Sequence, residues 1–222
     1  MTIQILLSAA FLIAVLWLGF RVPVAEGGAP QRRALFGLPP VPVFCTVLAA
    51  ALVLRLILGY SINGFDADIA CFKAWGYYTH EVGFSGMYYS DFFIDYPPGY
   101  LYLLYVTEFF RRLFFIPDSA QGATLLVKIV PILSDIGTAA ILWVLARKKL
   151  GEDSALFVSA AYLFCPAVII NSAVWGQADS YCALLLLWTV LLLWQNHTPA
   201  AAPTQSRSGY LCPMTNTREA SA

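Results

Sequence analysis

The sequence is poor in charged residues and in histidine, and these shortages exclude several functions. Lys, Arg, Asp and Glu make up 12% of its 222 residues and balance to a formal net charge of zero. This balance removes any electrostatic case for a nucleic acid partner. The two histidines, His80 and His197, are too few for a histidine-based metal site. Because neither lies in an apolar segment, an intramembrane Ser–His protease is also poorly supported. The five cysteines form no CxxC pair and are interpreted as small buried hydrophobes.

Apolar residues, in contrast, are abundant and occur in long runs. They make up 59% of the chain, and runs of about 17 to 25 residues recur along it, each long enough to cross a hydrocarbon core as a helix. We predict an all-α membrane protein, a polytopic bundle of about six spans, because lipid offers no partner to an open strand edge. The predicted spans are Ile3–Phe20, Val41–Tyr60, Pro98–Phe115, Ala123–Leu145, Ala155–Ala173 and Ser180–Trp194.

The pattern divides the chain into three predicted regions. Residues 1–40 would hold an N-terminal anchor helix and a cytoplasmic loop, because three arginines follow the first span and positive loops stay in the cytoplasm. Residues 41–194 would form the main membrane module, with an acidic loop, 61–97, on the extracytoplasmic face. Residues 195–222 show no periodicity and few large apolar residues, so we predict a disordered tail.

Basic residues give conflicting signals in the second half of the chain. Arg111-Arg112 and Arg147-Lys148-Lys149 flank opposite ends of one predicted span, and both clusters cannot be cytoplasmic. Either the segment Pro98–Phe115 is partly re-entrant, or one of the two basic clusters lies outside.

The loop 61–97 contains the residues most suggestive of chemistry. Asp66 and Asp68, two residues apart, can share a cation or divide into a general base and a partner that tunes it. Asp68 is also placed to cap a helix over Ile69–Val82, whose apolar residues recur at helical spacing. We predict that this helix is amphipathic and interfacial, with its aromatic side against acyl chains and Lys73 on the other side, near a lipid phosphate.

Other polar residues stand at the ends of the predicted spans. Asp95 and Tyr96 precede the prolines that open the third span. Gln177 and Asp179 lie at a later helix boundary, where they could bind sugar hydroxyls or a partner helix. Arg55, near the outer end of the second span, is a candidate for binding a phosphate headgroup, with snorkelling to the interface as the alternative.

Two ionisable residues lie deeper in an apolar segment. Lys128 and Asp135 share one helix face with Pro131, and groups at that depth usually face the bundle or a wet cavity. Lys128 is near enough to an end to snorkel. For Asp135 a structural polar contact is favoured over catalysis.

Together these residues resemble those of the GT-C superfamily of integral-membrane glycosyltransferases, and in particular of bacterial mannosyltransferases related to the second GPI mannosyltransferase. Asp66-Ala-Asp68 after a membrane span is similar to the first-loop acidic motif of those enzymes. Asp95-Tyr-Pro-Pro is similar to the Tyr-Asp-Tyr-Pro-Pro stretch of dolichyl-phosphate-glucose glucosyltransferases. Pro166 followed by Trp175-Gly-Gln177-Ala-Asp179 keeps the spacing of their Pro…Phe-Gln-Tyr-Asn element. The resemblance covers roughly residues 41–194.

The resemblance implies transfer of a hexose, with mannose favoured, from a polyprenyl-phosphate donor to an extracytoplasmic acceptor with inversion. Asp66 or Asp68 would be the catalytic base. The substrate-binding residues would be Arg55, Lys73, Asp95, Tyr96, Gln177 and Asp179. Some members need a divalent cation, Mg or Mn, which Asp66 and Asp68 could hold. The resemblance also implies a multi-pass protein of a cell membrane, with a bacterial plasma membrane favoured, in contact with membrane lipid and with a partner subunit of unknown kind.

Length separates the chain from that family. Members usually have more spans and several hundred residues, whereas the family-like sequence here stops near Trp194. We therefore interpret the chain as a truncated or frameshifted reading frame and expect little or no activity from it alone. The alternative is a non-enzymatic membrane transport or assembly component, in which Lys128 and Asp135 would be the informative residues. A lipid acyl- or phosphotransferase would need a His–Asp pair that the loop lacks.

Overall fold

The computed structural model describes residues 39–88 and 92–194, and the regular structure within those ranges is entirely helical, as predicted. The elements are α1 Pro40–Ser61, α2 Asp66–Val82, α3 Pro98–Leu113, α4 Gln121–Leu150, α5 Glu152–Leu163, α6 Pro166–Ile169, a π-helix Ile170–Trp175 and α7 Asp179–Trp194. The predicted first span and the tail 195–222 lie outside the described residues. The chain divides after Leu184 into two compact units, so the later part of α7 belongs to the second unit.

Two of the described helices are long and apolar enough to cross a membrane. These are α1 with 22 residues and α4 with 30. The α5 helix and the segment Pro166–Trp175 qualify only if they count as one broken crossing, bent by 47°. The α3 and α7 helices have 16 residues each and are too short to qualify. The described residues thus contain two or three candidate spans, and the prediction of about six is not confirmed.

Prolines mark the starts of three helices. Pro40, Pro98 and Pro166 each lie in a first helical turn, where the missing N–H would have no helical partner and the fixed φ suits the helix. The helix start predicted at the Asp95-Tyr-Pro-Pro stretch is therefore confirmed. These prolines thus mark where a loop ends and the next helix begins.

The α2 and α3 helices pack side by side and run in the same direction. Phe72 of α2 meets Tyr100 of α3 with ring centroids 5.4 Å apart, and near the other end Arg112 Nη2 binds Glu81 Oε1 at 2.5 Å. The apolar stripe of α2, which includes Ile69 and Trp75, is buried in one cluster with Tyr100 and its neighbours in α3. Protein, not acyl chains, therefore covers the aromatic side of α2, and that part of the prediction is wrong.

The α1, α4 and α5 helices form a separate bundle. At one end of this bundle Phe44 of α1 stacks on Trp143 of α4, with ring centroids 4.4 Å apart, beside Leu156 of α5. Small residues, Ala51 and Ala139, are fully buried further along and let α1 and α4 approach each other.

The α2–α3 pair packs against the opposite end of this bundle. Val127 of α4 belongs to the cluster formed by α2 and α3, and Ala123 lies beside Arg111 near the end of α3. Because both ends of α3 lie near the first turns of α4, the pair covers the end of the bundle at which α1 finishes and α4 begins.

Candidate functional site

The two aspartates of the acidic loop lie at the start of α2, not before it. The helix begins at Asp66, earlier than the predicted Ile69, and its N-cap is Phe65, with no side-chain capping hydrogen bond. The prediction that Asp68 caps the helix is therefore wrong. Successive residues of an α-helix are about 100° apart, so residues two positions apart do not face each other. Asp66 and Asp68 consequently belong to two different sites.

Asp68 is the centre of a hydrogen-bonded cluster that joins distant parts of the chain. Its Oδ2 accepts hydrogen bonds from Trp175 Nε1, at 2.9 Å, and from Gln177 Nε2. Gln177 Oε1 in turn accepts a longer hydrogen bond, 3.4 Å, from the Tyr96 hydroxyl. We refer to Asp68, Tyr96, Trp175 and Gln177 as the Asp68 cluster. Three of these four were predicted site residues, and the fold brings them together.

Two further predicted residues contribute charge to this cluster but no contact. Asp95 and Asp179 are exposed and have no hydrogen-bond partner among the described residues. Burial raises the pKa of the Tyr96 hydroxyl, and the charges of Asp179, Asp68 and Asp95 raise it further. The hydroxyl therefore remains protonated and acts as a donor.

The π-helix brings Trp175 and Gln177 to Asp68. It ends at Gly176, with φ at +92°, and the N–H groups of Gly176 and Gln177 both donate to the Asn171 carbonyl at 3.0 Å. A β-carbon on Gly176 would lie 2.9 Å from Ile69 Cδ1 of α2. Glycine is thus required here both for the left-handed turn and for the close approach to α2.

A separate open cavity of about 820 Å³ lies on the Asp66 side of α2. From α2 it is lined by Asp66, Ala70, Lys73 and Tyr77, which recur at helical spacing. The other polar and aromatic lining residues are Asn63, Tyr78, Phe92, Arg111, Asp118, Ser119, Gln121 and Thr124. Asp68 does not line it. The volume is within the range of pockets that hold small molecules.

The two cationic side chains of this cavity differ in how they are engaged. All three guanidinium nitrogens of Arg111 donate hydrogen bonds to protein groups. Nε and Nη2 bind the Glu108 carboxylate at 2.6 and 2.8 Å, and Nη1 donates to the Ile116 carbonyl at 2.8 Å. Lys73 Nζ donates to the Asp118 carbonyl at 2.8 Å and has no carboxylate partner among the described residues. Lys73 is therefore the cation that remains able to bind an anion in the cavity, and Asp66 is an exposed carboxylate in the same space.

Arg55, predicted to bind substrate, lies instead in the core of the bundle. Its Nε pairs with Asp135 Oδ2 at 3.3 Å, Nη2 donates to the Leu163 carbonyl at 2.8 Å, and Nη1 donates to the Ala51 carbonyl at 3.4 Å. Arg55 and Asp135 are both 0% exposed, so snorkelling of Arg55 is wrong and its donors point to protein, not to a headgroup. The Tyr162 hydroxyl donates to Asp135 Oδ1 at 3.1 Å. The structural contact predicted for Asp135 is confirmed.

Lys128 is also completely buried, which contradicts the predicted snorkelling. Its Nζ donates to the Ile62 carbonyl at 2.7 Å and to the Val174 carbonyl at 2.9 Å. Ile62 ends α1, and Val174 directly precedes Trp175. The ammonium group therefore lies behind the Asp68 cluster, between the two chain segments that form it.

The geometry does not support a divalent cation shared by Asp66 and Asp68. The two carboxylates point to different sides of α2, and Asp68 Oδ2 already accepts two N–H donors. Among the described residues no group of three His, Cys, Asp or Glu side chains is placed to hold a metal ion.

Several cavity residues were not predicted from the sequence. Asn63, from the loop between α1 and α2, is joined by a 2.6 Å hydrogen bond to Gln121 at the start of α4, and Asp118 comes from the loop before α4. In the Asp68 cluster, Trp175 was noted in the sequence only as part of a motif and was not predicted as a site residue. A polar residue at a helix terminus is a weak signal, because most such residues only cap or solvate the chain.

Comparisons with family models, with curated protein sequences and with solved structures find no match to this chain.

Proposed function

We propose that the chain acts in glycosyl transfer at a membrane, moving a hexose, with mannose favoured, from a polyprenyl-phosphate donor to an acceptor hydroxyl. The observation that carries the proposal is that the exposed carboxylate of Asp66 and the ammonium of Lys73 line one open cavity of about 820 Å³. Lys73 follows Asp66 by seven positions along the helix, which corresponds to about 10 Å of rise. That distance leaves room for a sugar ring between a base and a phosphate-binding cation.

In the proposed mechanism Asp66 is the general base. The acceptor oxygen attacks the anomeric carbon, the bond from that carbon to the phosphate oxygen breaks, and the phosphate leaves with the electron pair. Asp66 takes the proton of the acceptor hydroxyl, and Lys73 stabilises the charge that develops on the leaving phosphate. Attack opposite to the phosphate inverts the anomeric configuration.

Geometry favours Asp66 over Asp68 for this role. A general base must be reachable by the hydroxyl that it deprotonates. Asp66 is exposed in the cavity, whereas Asp68 does not line it and has one carboxylate oxygen bonded to Trp175 and Gln177. Asp68 is better suited to hold the segment after the π-helix against α2.

One membrane orientation fits this proposal. The Asp68 cluster and the cavity lie at the end of the bundle where α1 finishes, and Trp143, with Arg147 stacked 4.7 Å above its ring, lies at the other end. The 15 residues from Lys128 to Trp143 correspond to about 22 Å of helix. The positive-inside rule then makes Arg147-Lys148-Lys149 cytoplasmic and the cavity extracytoplasmic. A lipid-linked donor suits that side, because nucleotide sugars are made in the cytosol.

The same orientation removes the conflict between the two basic clusters. Arg112 pairs with Glu108 and Glu81, and Arg111 pairs with Glu108, so carboxylates accompany both arginines at the end of α3. Arg111 lines the cavity, so in this orientation the paired arginines at the end of α3 lie on the same side as the cavity.

The proposal is tested by titrating the detergent-solubilised chain with a short-chain polyprenyl-phosphate mannose and measuring both its Kd and any mannose transfer. We expect Lys73→Met to weaken binding about 10-fold or more, since a charge-assisted hydrogen bond contributes about 1.5–3 kcal/mol. We expect Asp66→Asn to leave Kd within about threefold and to lower any transfer by about 100-fold or more. Binding is informative even if the chain alone transfers little.

Asp118→Asn is the matched control, because it removes a second carboxylate from the same cavity. It should change neither Kd nor transfer beyond about threefold. Failure of the parent chain to bind the donor, or unchanged transfer in Asp66→Asn, would rule out the proposed function.

A further inference from the structure

Lys128 is a buried cation that the proposed reaction does not use. Its side chain is 0% exposed, and no carboxylate among the described residues lies within ion-pair distance of it. Burying an ammonium group without an ion-pair partner is costly unless its hydrogen bonds are satisfied by the protein.

Those hydrogen bonds join the residue that follows α1 to the last turn of the π-helix. Nζ lies 2.7 Å from the carbonyl oxygen of Ile62 and 2.9 Å from that of Val174, so the two carbonyls face each other across one ammonium group. Without that group the two oxygens would be acceptors close to each other with no donor between them, and the two segments would separate.

The glycines of the two segments show how closely the chains approach there. A β-carbon on Gly64 would lie 2.6 Å from the Trp175 carbonyl oxygen and 3.2 Å from Lys128 Cε. A β-carbon on Gly176 would lie 3.0 Å from Lys128 Cγ. The stem of Lys128 therefore packs against the backbone of both loops while its head binds a carbonyl from each side.

One of these two segments carries the carboxylate of the Asp68 cluster, and the other carries the two side chains that donate to it. The segment after Ile62 leads through Gly64 to Asp68, and the segment after Val174 carries Trp175 and Gln177. We infer that Lys128 is the positioning residue of the Asp68 cluster: its ammonium group holds the start of α2 and the end of the π-helix at the distance at which Trp175 and Gln177 reach Asp68.

This inference concerns the segment beside the cavity of the proposed function, but it does not depend on transfer activity. Its test uses the full chain labelled with 5-fluorotryptophan in detergent micelles, observed by fluorine NMR. The Trp175 resonance is assigned by its loss in Trp175→Phe, and its position in Asp68→Ala, which has no side-chain acceptor, defines the state without the hydrogen bond. The resonances of Trp75 and Trp143 report on the α2–α3 cluster and on the far end of the bundle.

We expect Lys128→Met to move the Trp175 resonance at least halfway to its position in Asp68→Ala, with Trp75 and Trp143 unmoved. Lys128→Gln, whose amide can reach one carbonyl at a time, should give a smaller shift. Arg55→Met is the matched control, because it removes the other buried cation of the bundle. In the folded fraction of that variant the Trp175 resonance should keep its parent position.

Three results would overturn the inference. The first is a folded Lys128→Met in which Trp175 keeps its parent resonance, since the ammonium group would then add stability without placing the cluster. The second is an equal displacement of Trp175 in Arg55→Met. The third is failure of both Lys128 variants to fold, which would make the amine a requirement of the whole bundle. Loss of donor binding with the expected NMR result would refute the proposed function alone.

Discussion

Lys128 and Arg55 are both completely buried cations of one helix bundle, but they bind different partners. Arg55 pairs with the carboxylate of Asp135, which joins α1 to α4, and it also binds the carbonyl of Leu163 at the end of α5. Lys128 binds the carbonyl of Ile62, which follows α1, and the carbonyl of Val174, which lies in the π-helix directly before Trp175.

The difference follows from the shapes of the two cationic groups. A guanidinium group has donors on several sides, so Arg55 can bind a carboxylate and two carbonyls and fix how three helices pack. An ammonium group concentrates its donors at one point, so Lys128 can draw two backbone segments together. The ion pair belongs to the scaffold, and the ammonium group belongs to the candidate site.

The largest effect is expected when the ion pair loses its acid. Asp135→Ala leaves the Arg55 charge buried without compensation, and we expect the free energy of unfolding to fall by about 3–5 kcal/mol. SDS titration in mixed micelles, followed by circular dichroism, measures this change.

Ser134→Ala is the control for that substitution, since Ser134 is also buried in α4 but bonds only to the Val130 carbonyl of its own helix. It should cost about 1 kcal/mol or less. Replacing both Arg55 and Asp135 by leucine should recover most of the loss, because no charge then remains buried. A loss in Asp135→Ala no larger than that in Ser134→Ala would contradict the role given to the pair.

A smaller effect is expected at the Lys128 end from Gly64→Ala. The residue has φ at +95°, and the added β-carbon would lie 2.6 Å from the Trp175 carbonyl oxygen, so both strain and overlap oppose it. We expect a loss of about 1–3 kcal/mol in the free energy of unfolding. Gly151→Ala is the matched control, because its φ is +88° but nothing lies within 4 Å of the new β-carbon. Equal losses in both would mean that the close approach at Gly64 adds nothing to backbone strain.

Local sequence pattern predicted much of the helical structure. Apolar runs and proline placement correctly indicated α1, α4 and the start of α3, and the spacing of Lys128, Pro131 and Asp135 correctly indicated one buried face of α4. An aromatic or apolar run can pack on another helix as well as on lipid, so composition did not show that one side of α3 packs on α2. The same ambiguity explains the aromatic stripe of α2.

The candidate site was harder to predict, because its residues come from distant segments. Asp68, Tyr96 and Gln177 were selected as site residues, but nothing in the sequence placed them in contact. Asp66 faces the cavity and Asp68 faces the Asp68 cluster because of where α2 begins. A sequence pattern locates helix boundaries only to within a residue or two. The partners of Arg55 and Lys128 are backbone carbonyls and a carboxylate far along the chain, which only tertiary structure brings near.

The smallest expected effect concerns a third kind of pair, the carboxylate–guanidinium group on α3, in which Glu108 is buried and its partners Arg111 and Arg112 are partly exposed. The α3 helix lies outside the candidate spans. Burial alone would raise the pKa of Glu108, but the hydrogen bonds and charges of Arg111 and Arg112 outweigh it and lower that pKa. A carboxyl group whose pKa is lowered on folding stabilises the protein above its unfolded pKa, about 4.3, and this contribution is lost as the pH falls through the folded value.

We therefore expect the melting temperature of the parent to fall more between pH 6 and about pH 3 than that of Glu108→Gln, measured by circular dichroism in the same detergent. Glu81→Gln, which removes the more exposed partner of Arg112, should behave more like the parent. An identical pH dependence in parent and Glu108→Gln would mean that solvent screens this pair. Of these charged groups, only the completely buried Arg55 and Lys128 would then have a measurable structural role.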